Sequence, residues 1–214
     1  MDEDVSIINT NTRNEKIKNF FINNKNKLIF GILIIIIGVI SVYSFDKYQA
    51  NKKQKISDDF NLATIEYSEN NKENTTTKLI EIINEKNPTY SPLSLYFIID
   101  NELISDQKQI NKLFDILIDQ TSLDDEINNL VIYKKALFNA DQSSEGDLLN
   151  LLNPLINSKS VWKSHALYLM AEYFYAKEQN QKAKEFFNQI ISLENPNPDI
   201  RLQAEKRLNR DLSE

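Results

Sequence analysis

Apolar and polar residues follow two regimes along this chain: one unbroken apolar run, then a long stretch in which apolar positions recur every three or four residues. The run, LIFGILIIIIGVISVYSF, is 18 residues without a charge between Lys27 and Asp46. At a helical rise of about 1.5 Å per residue it spans roughly 27 Å, enough for a bilayer's hydrocarbon layer if flanking groups snorkel. The run therefore predicts a single transmembrane helix over 28–45, with Tyr43 and Phe45 at one interface. Its length sets it apart from a soluble core helix. Val42 and Ser44 would be tolerable beside a signal-peptidase site, but a long charged segment precedes the run, which also exceeds the roughly 7 to 15 residues of a signal-peptide core. An uncleaved anchor is the expectation.

Ahead of the run, Ile17, Phe20 and Phe21 fall at helical spacing beside Lys16 and Lys18, a pattern for an extension of the anchor helix or a helix along the membrane surface. The first dozen residues, with Asp2, Glu3 and Asp4, have no apolar period and are expected to be unstructured.

After the run the period is helical. Ile56, Phe60, Ala63 and Tyr67 make one face, and Leu79, Ile80, Ile82 and Ile83 the next apolar segment. Ser91-Pro92 reads as an N-cap followed by proline at the first helical position, and Asn153-Pro154 as a helix stop. The pattern predicts hairpins near 56–86, 92–119, 123–153 and 161–193 and a capping helix over 198–211. First helices start about 33 to 36 residues apart, the period of tetratricopeptide arrays, in which stacked amphipathic hairpins build one continuous core. The expected fold is all-α: a transmembrane helix, then a tetratricopeptide-like α-solenoid of about four hairpins plus a cap, in domains 1–27, 28–45 and 46–214.

Composition supports this reading. The chain has only three glycines, two of them, Gly31 and Gly38, in the apolar run, which favours helices over tight-turned hairpins of strands. It has no cysteine, which removes disulfides, thiol catalysis and cysteine metal sites. Residues 1–55 hold 9 Lys+Arg against 5 Asp+Glu, and the remaining residues 16 against 26, so the helical stretch has a net charge of −10. Such a domain repels nucleic acid and anionic lipid. Basic residues flank the run on both sides, Arg13 to Lys27 and Lys47 to Lys55, so charge leaves the topology open and suits headgroup anchoring.

No phosphate-binding glycine loop, nucleophile elbow or HExxH motif occurs. The single histidine, His165, lacks the partners of a metal site and is expected to be structural. Asp58-Asp59 and Asp124-Asp125 are read as acids at helix starts. No catalytic, cofactor or metal site is expected.

The fourth pair is the most specific. Leu167, Met170, Ala171, Phe174, Ala183 and Phe187 match the tetratricopeptide order of large, small and aromatic residues, with Ala171 and Ala183 admitting a close helix crossing. Glycine is absent between these helices, where Glu178 to Gln181 stand, and the usual proline is displaced to Pro196. Trp162 is assigned to the core against 152–155.

With that register set, the chain resembles, over nearly its full length, the bacterial ancillary Sec-translocon subunit family, the YfgM-like tetratricopeptide group. The resemblance is carried by the opening EDV and the following RNEKI, the anchor, NPLINSKSVWKSHALYLMAEYFYA, and PNPDIRLQAEKRL. It implies a single-pass inner-membrane protein with residues 1–27 in the cytoplasm and the repeat domain in the periplasm. Its partners would be translocon subunits or exported proteins. In tetratricopeptide-like domains the first helix of each hairpin lines a groove, and this register points His165, Tyr168, Glu172 and Tyr175 into it. The tyrosines suit peptide contact, and equally suit packing on the next hairpin. The expectation is a non-catalytic, membrane-anchored protein–protein interaction module, ancillary to the Sec translocon or to periplasmic protein folding and acting by proximity. The alternatives are a scaffold of an envelope or division complex acting as a homo-oligomer through repeat stacking, and an unrecognised hydrolase or transferase with a polar pocket.

Overall fold

The computed structural model describes the backbone of residues 2–213 and the side chains of residues 13–213. The chain divides into two compact units, Met1–Lys55 and Ile56–Glu214. Among the described residues there are ten α-helices, and the all-α expectation holds.

The first unit contains α1 (Asp2–Asn23) and most of α2 (Lys25–Ile65). The backbone is helical from Asp2, where the sequence was expected to be unstructured; no glycine or proline occurs before Gly31 to interrupt it. Hydrogen bonding continues through the joint, since the Asn24 amide donates to the Phe20 carbonyl at 3.0 Å and the Leu28 amide to the Asn24 carbonyl at 2.9 Å. In α2 the apolar run is bare on every side: its best 18-residue window has a mean hydropathy of 2.7 with no residue buried. A helix apolar all round has to find an apolar solvent. The Ser41 hydroxyl inside the run donates to the Ile37 carbonyl at 2.8 Å, so it needs no water. This helix is long and apolar enough to cross a membrane, a property that anchors share with signal sequences.

The second unit begins with the last turns of α2. It continues through a short 3₁₀ turn (Glu69–Asn71), α3 (Lys72–Asn84), α4 (Tyr90–Asp100), α5 (Gln107–Gln120) and α6 (Asp125–Asn139). Then come α7 (Glu145–Ile156), α8 (Lys163–Ala176), α9 (Asn180–Ile191) and α10 (Pro198–Arg210). Each helix from α3 onward packs on its neighbour in sequence, and α6 with α8 and α8 with α10 also touch, as in stacked hairpins. Hydrogen bonds between side chains repeat the period: Ser57 to Tyr90 spans 33 residues, Ser160 to Glu126 34, and Arg207 to Glu172 35. The core follows the chain in two parts. Two apolar clusters meet inside α6, where Val131 belongs to one and the adjacent Ile132 to the other.

Several starts are set by local chemistry. Asp106, Asp124 and Asn197 cap α5, α6 and α10 by accepting amide hydrogens two or three residues on, and Pro198 follows at the first helical position. Three sequence expectations need correction. Ser91 is not an N-cap but lies inside α4; its buried hydroxyl donates to the Ile82 carbonyl at 2.8 Å, while Asn87 Oδ1 accepts from the Thr89 and Tyr90 amides. A bond back to α3 outweighs capping. Pro154 does not stop α7, which runs to Ile156; the Asn150 carbonyl that loses its donor belongs to an exposed residue, and the extra turn brings Leu155 to full burial. Asp58 and Asp59 lie within α2 rather than at a helix start, because α2 continues unbroken from the apolar run to Ile65.

With no glycine at these helix ends, the chain puts other residues in the left-handed region: Lys86 (φ 54°), Glu102 (φ 49°) and Glu178 (φ 58°). After α8, the Gln179 amide donates to the Phe174 carbonyl at 2.9 Å and the Glu178 amide to the Tyr175 carbonyl at 3.0 Å, closing the helix in a Schellman turn. After α4, Leu103 and Glu102 donate in the same way to Ile98 and Ile99.

Candidate functional site

The helix α8 has two faces of different character. Leu167, Met170, Ala171 and Phe174 are buried on one, together with Ala183 and Phe187 of α9. Small residues at 171 and 183 accompany the most extensive helix–helix packing in the unit. Phe174 stacks on Phe186 at 5.5 Å between ring centroids.

His165, Tyr168, Glu172 and Tyr175 follow one another at three- and four-residue steps and are all half-buried. The structure divides them between two neighbours. His165 joins an aromatic group with Trp162 of the α7–α8 connection, at 5.0 Å, and Tyr133 of α6, at 5.6 Å. Trp162 in turn stacks on Tyr133 and packs against the cluster that holds Leu152 and Leu155. Burial lowers the His165 pKa, against a backbone hydrogen bond to Val161 that raises it. An imidazole in this setting is favoured neutral.

The other three meet Arg207 of α10. Its Nε and Nη2 donate to the two Glu172 carboxylate oxygens, each at 2.8 Å, its Nη1 donates to Asp211 at 2.9 Å, and its guanidinium lies 4.9 Å from the Tyr175 ring centre. The fork geometry is the one that guanidinium and carboxylate favour. Bonds to Asp211 and then Glu172 raise the Arg207 pKa, and Arg210 and Arg207 hold Asp211 below the usual carboxylate range. Tyr168 sets its ring edge against Phe187 at 5.6 Å; burial, then the Glu172 carboxylate, raises its phenol. The α8 face is thus lined by α6 and α10 side chains and offers two tyrosines, a neutral histidine and a salt-bridged carboxylate.

Arg207 is the residue that sequence reading missed. Its signal is the period itself, since Glu172 and Arg207 stand 35 residues apart. Among the described residues no cluster of three or more histidine or carboxylate side chains is placed to hold a metal ion. Compared with models of protein families, with curated proteins and with solved structures, the chain matches none. Its class is defined by architecture: an all-helical protein with one long apolar N-terminal helix and a repeat-like helical unit.

Proposed function

We propose that this chain is a non-catalytic, membrane-anchored protein–protein interaction module. In this reading it serves exported or envelope proteins beside the Sec translocon, from the periplasmic face of a bacterial inner membrane. The observation that carries it is α2, in which an apolar run with no buried residue belongs to the same unbroken helix as Ile56 and Ala63, two core residues of the repeat-like unit. The run's 18 residues exceed the roughly 7 to 15 of a signal-peptide core, which supports an uncleaved anchor over a signal sequence. Tethering raises the local concentration of a weak binder, so modest contacts suffice. The net charge of −10 after Lys55 turns the unit away from nucleic acid and anionic lipid surfaces and toward protein partners.

The test is protease accessibility of an epitope tag placed after Glu214, in intact spheroplasts. Digestion from outside supports the exported side; protection until lysis overturns it. Photocrosslinking from Tyr175 that captures only cytosolic proteins overturns the partner assignment.

A further inference from the structure

A cavity of 240 Å³ lies between α4, α5 and α6, using none of the α8 residues. Tyr96, Ile99, Phe114, Leu137 and Phe138 give it apolar walls, and Lys134 and Asp100 are its charged members. Phe114 is fully buried and its ring meets Phe138 at 6.0 Å, which fixes one wall. Leu137, which also lines it, is 51% exposed, so this wall is open to solvent.

The charges are as informative as the walls. Lys134 Nζ stands 4.4 Å from the centre of the Tyr96 ring and, among the described residues, has no carboxylate partner. Its neighbour Lys135 is salt-bridged to Asp115, and acids outnumber bases in this unit by 26 to 16. Asp100, one turn along α4 from Tyr96, is exposed and also has no ion pair among the described residues. Two opposite charges thus share one apolar cavity without neutralising each other. The volume is below the roughly 300 Å³ at which drug-sized ligand sites begin, and suits a single large side chain.

We propose that this cavity receives one leucine or phenylalanine side chain of a partner protein, from a segment that places an acidic residue beside it for Lys134. The ammonium over the Tyr96 ring supplies the attraction, and the apolar walls select the neighbouring side chain. Asp100 disfavours a second acid on the far side. The proposal rests on the interaction-module reading and names the chemistry of its partner.

The test uses the full chain in detergent micelles and fluorescein-labelled Gly-Ser-Glu-Phe-Ser-Gly, with fluorescence anisotropy as the readout. Saturable binding is expected, weakened about tenfold when the peptide's Phe is replaced by Ala or its Glu by Lys. Lys134→Glu should reverse the charge preference of the peptides. Leu137→Glu, at an exposed position and with an unchanged melting curve, should weaken the Glu-Phe peptide by a similar factor. Equal affinity for the Phe and Ala peptides, indifference to Lys134→Glu, or no saturable binding overturns the proposal. If peptides fail here while photocrosslinking from Tyr175 captures exported proteins, the cavity assignment falls and the module reading stands. A cytoplasmic tail in the protease assay fells the exported-side placement, and the titration still decides the cavity.

Discussion

Arg207→Ala should destabilise the repeat-like unit by about 2 kcal/mol, with the α8 face as the place where the loss is felt. The guanidinium gives Glu172 two charge-assisted bonds at 2.8 Å, and the two side chains are 28% and 27% exposed. Hydrogen bonds to charged groups contribute about 1.5 to 3 kcal/mol when shielded, and exposed ion pairs about 0.2 to 1 kcal/mol. A bidentate pair at this intermediate depth, discounted for solvent screening, comes to about 1.5 kcal/mol. Stacking over Tyr175, at 4.9 Å, adds about 0.5 kcal/mol. For a unit of this size that is roughly a 4 to 8 °C fall in Tm. Thermal unfolding of the full chain in micelles, followed by helical ellipticity, measures it. Combining Arg207→Ala with Glu172→Gln in a double-mutant cycle should give a coupling of about 1 kcal/mol or more. Arg207→Lys should recover less than half, since an ammonium keeps the charge but loses the fork. A cycle with no coupling would mean that the pair is a solvated contact and that α10 does not shape the α8 face.

Glu178→Gly and Glu102→Gly should each stabilise by about 0.5 to 1 kcal/mol, because relief of a left-handed φ exceeds the extra freedom of glycine in the unfolded chain. Glu185→Gly, at an exposed position in the middle of α9, should destabilise by about 1 kcal/mol, and equal signs in paired melts would contradict the turn assignment. Phe187→Ala removes a fully buried ring and should cost about 3 to 5 kcal/mol in chemical denaturation; less than 1 would mean that the site collapses freely. The pH profile follows from His165. Burial holds its folded pKa below the ordinary value, so the unfolded chain takes up the proton first as pH falls below about 6.5. The associated stability is complete above that pH and declines below it. Asp211 acts in a separate window: its depressed pKa contributes stability above the ordinary carboxylate range that is lost only at more acid pH. Melting at pH 7.5 and 5.5 should therefore differ in the parent and much less in His165→Gln; parallel behaviour would refute the assignment.

What could be read from residues alone depends on neighbours close in the chain. The apolar run of 28–45, the helical period and the buried set Leu167, Met170, Ala171 and Phe174 all repeat within one or two turns. The caps at Asp106, Asp124 and Asn197 close hydrogen bonds across two or three residues. Such energies are local, and composition and spacing determine them. Tertiary structure decided the rest. Ser91 joins α3 instead of capping α4, Pro154 stays within a helix so that Leu155 is buried, and Glu178 takes a glycine's conformation at the closely packed α8–α9 turn. The neighbours of the α8 face, Tyr133 and Arg207, and the cavity around Lys134 and Tyr96 arise between helices distant in sequence. For Ser91, Pro154 and Glu178 a local preference worth about 1 to 3 kcal/mol was outweighed by burial and packing between helices.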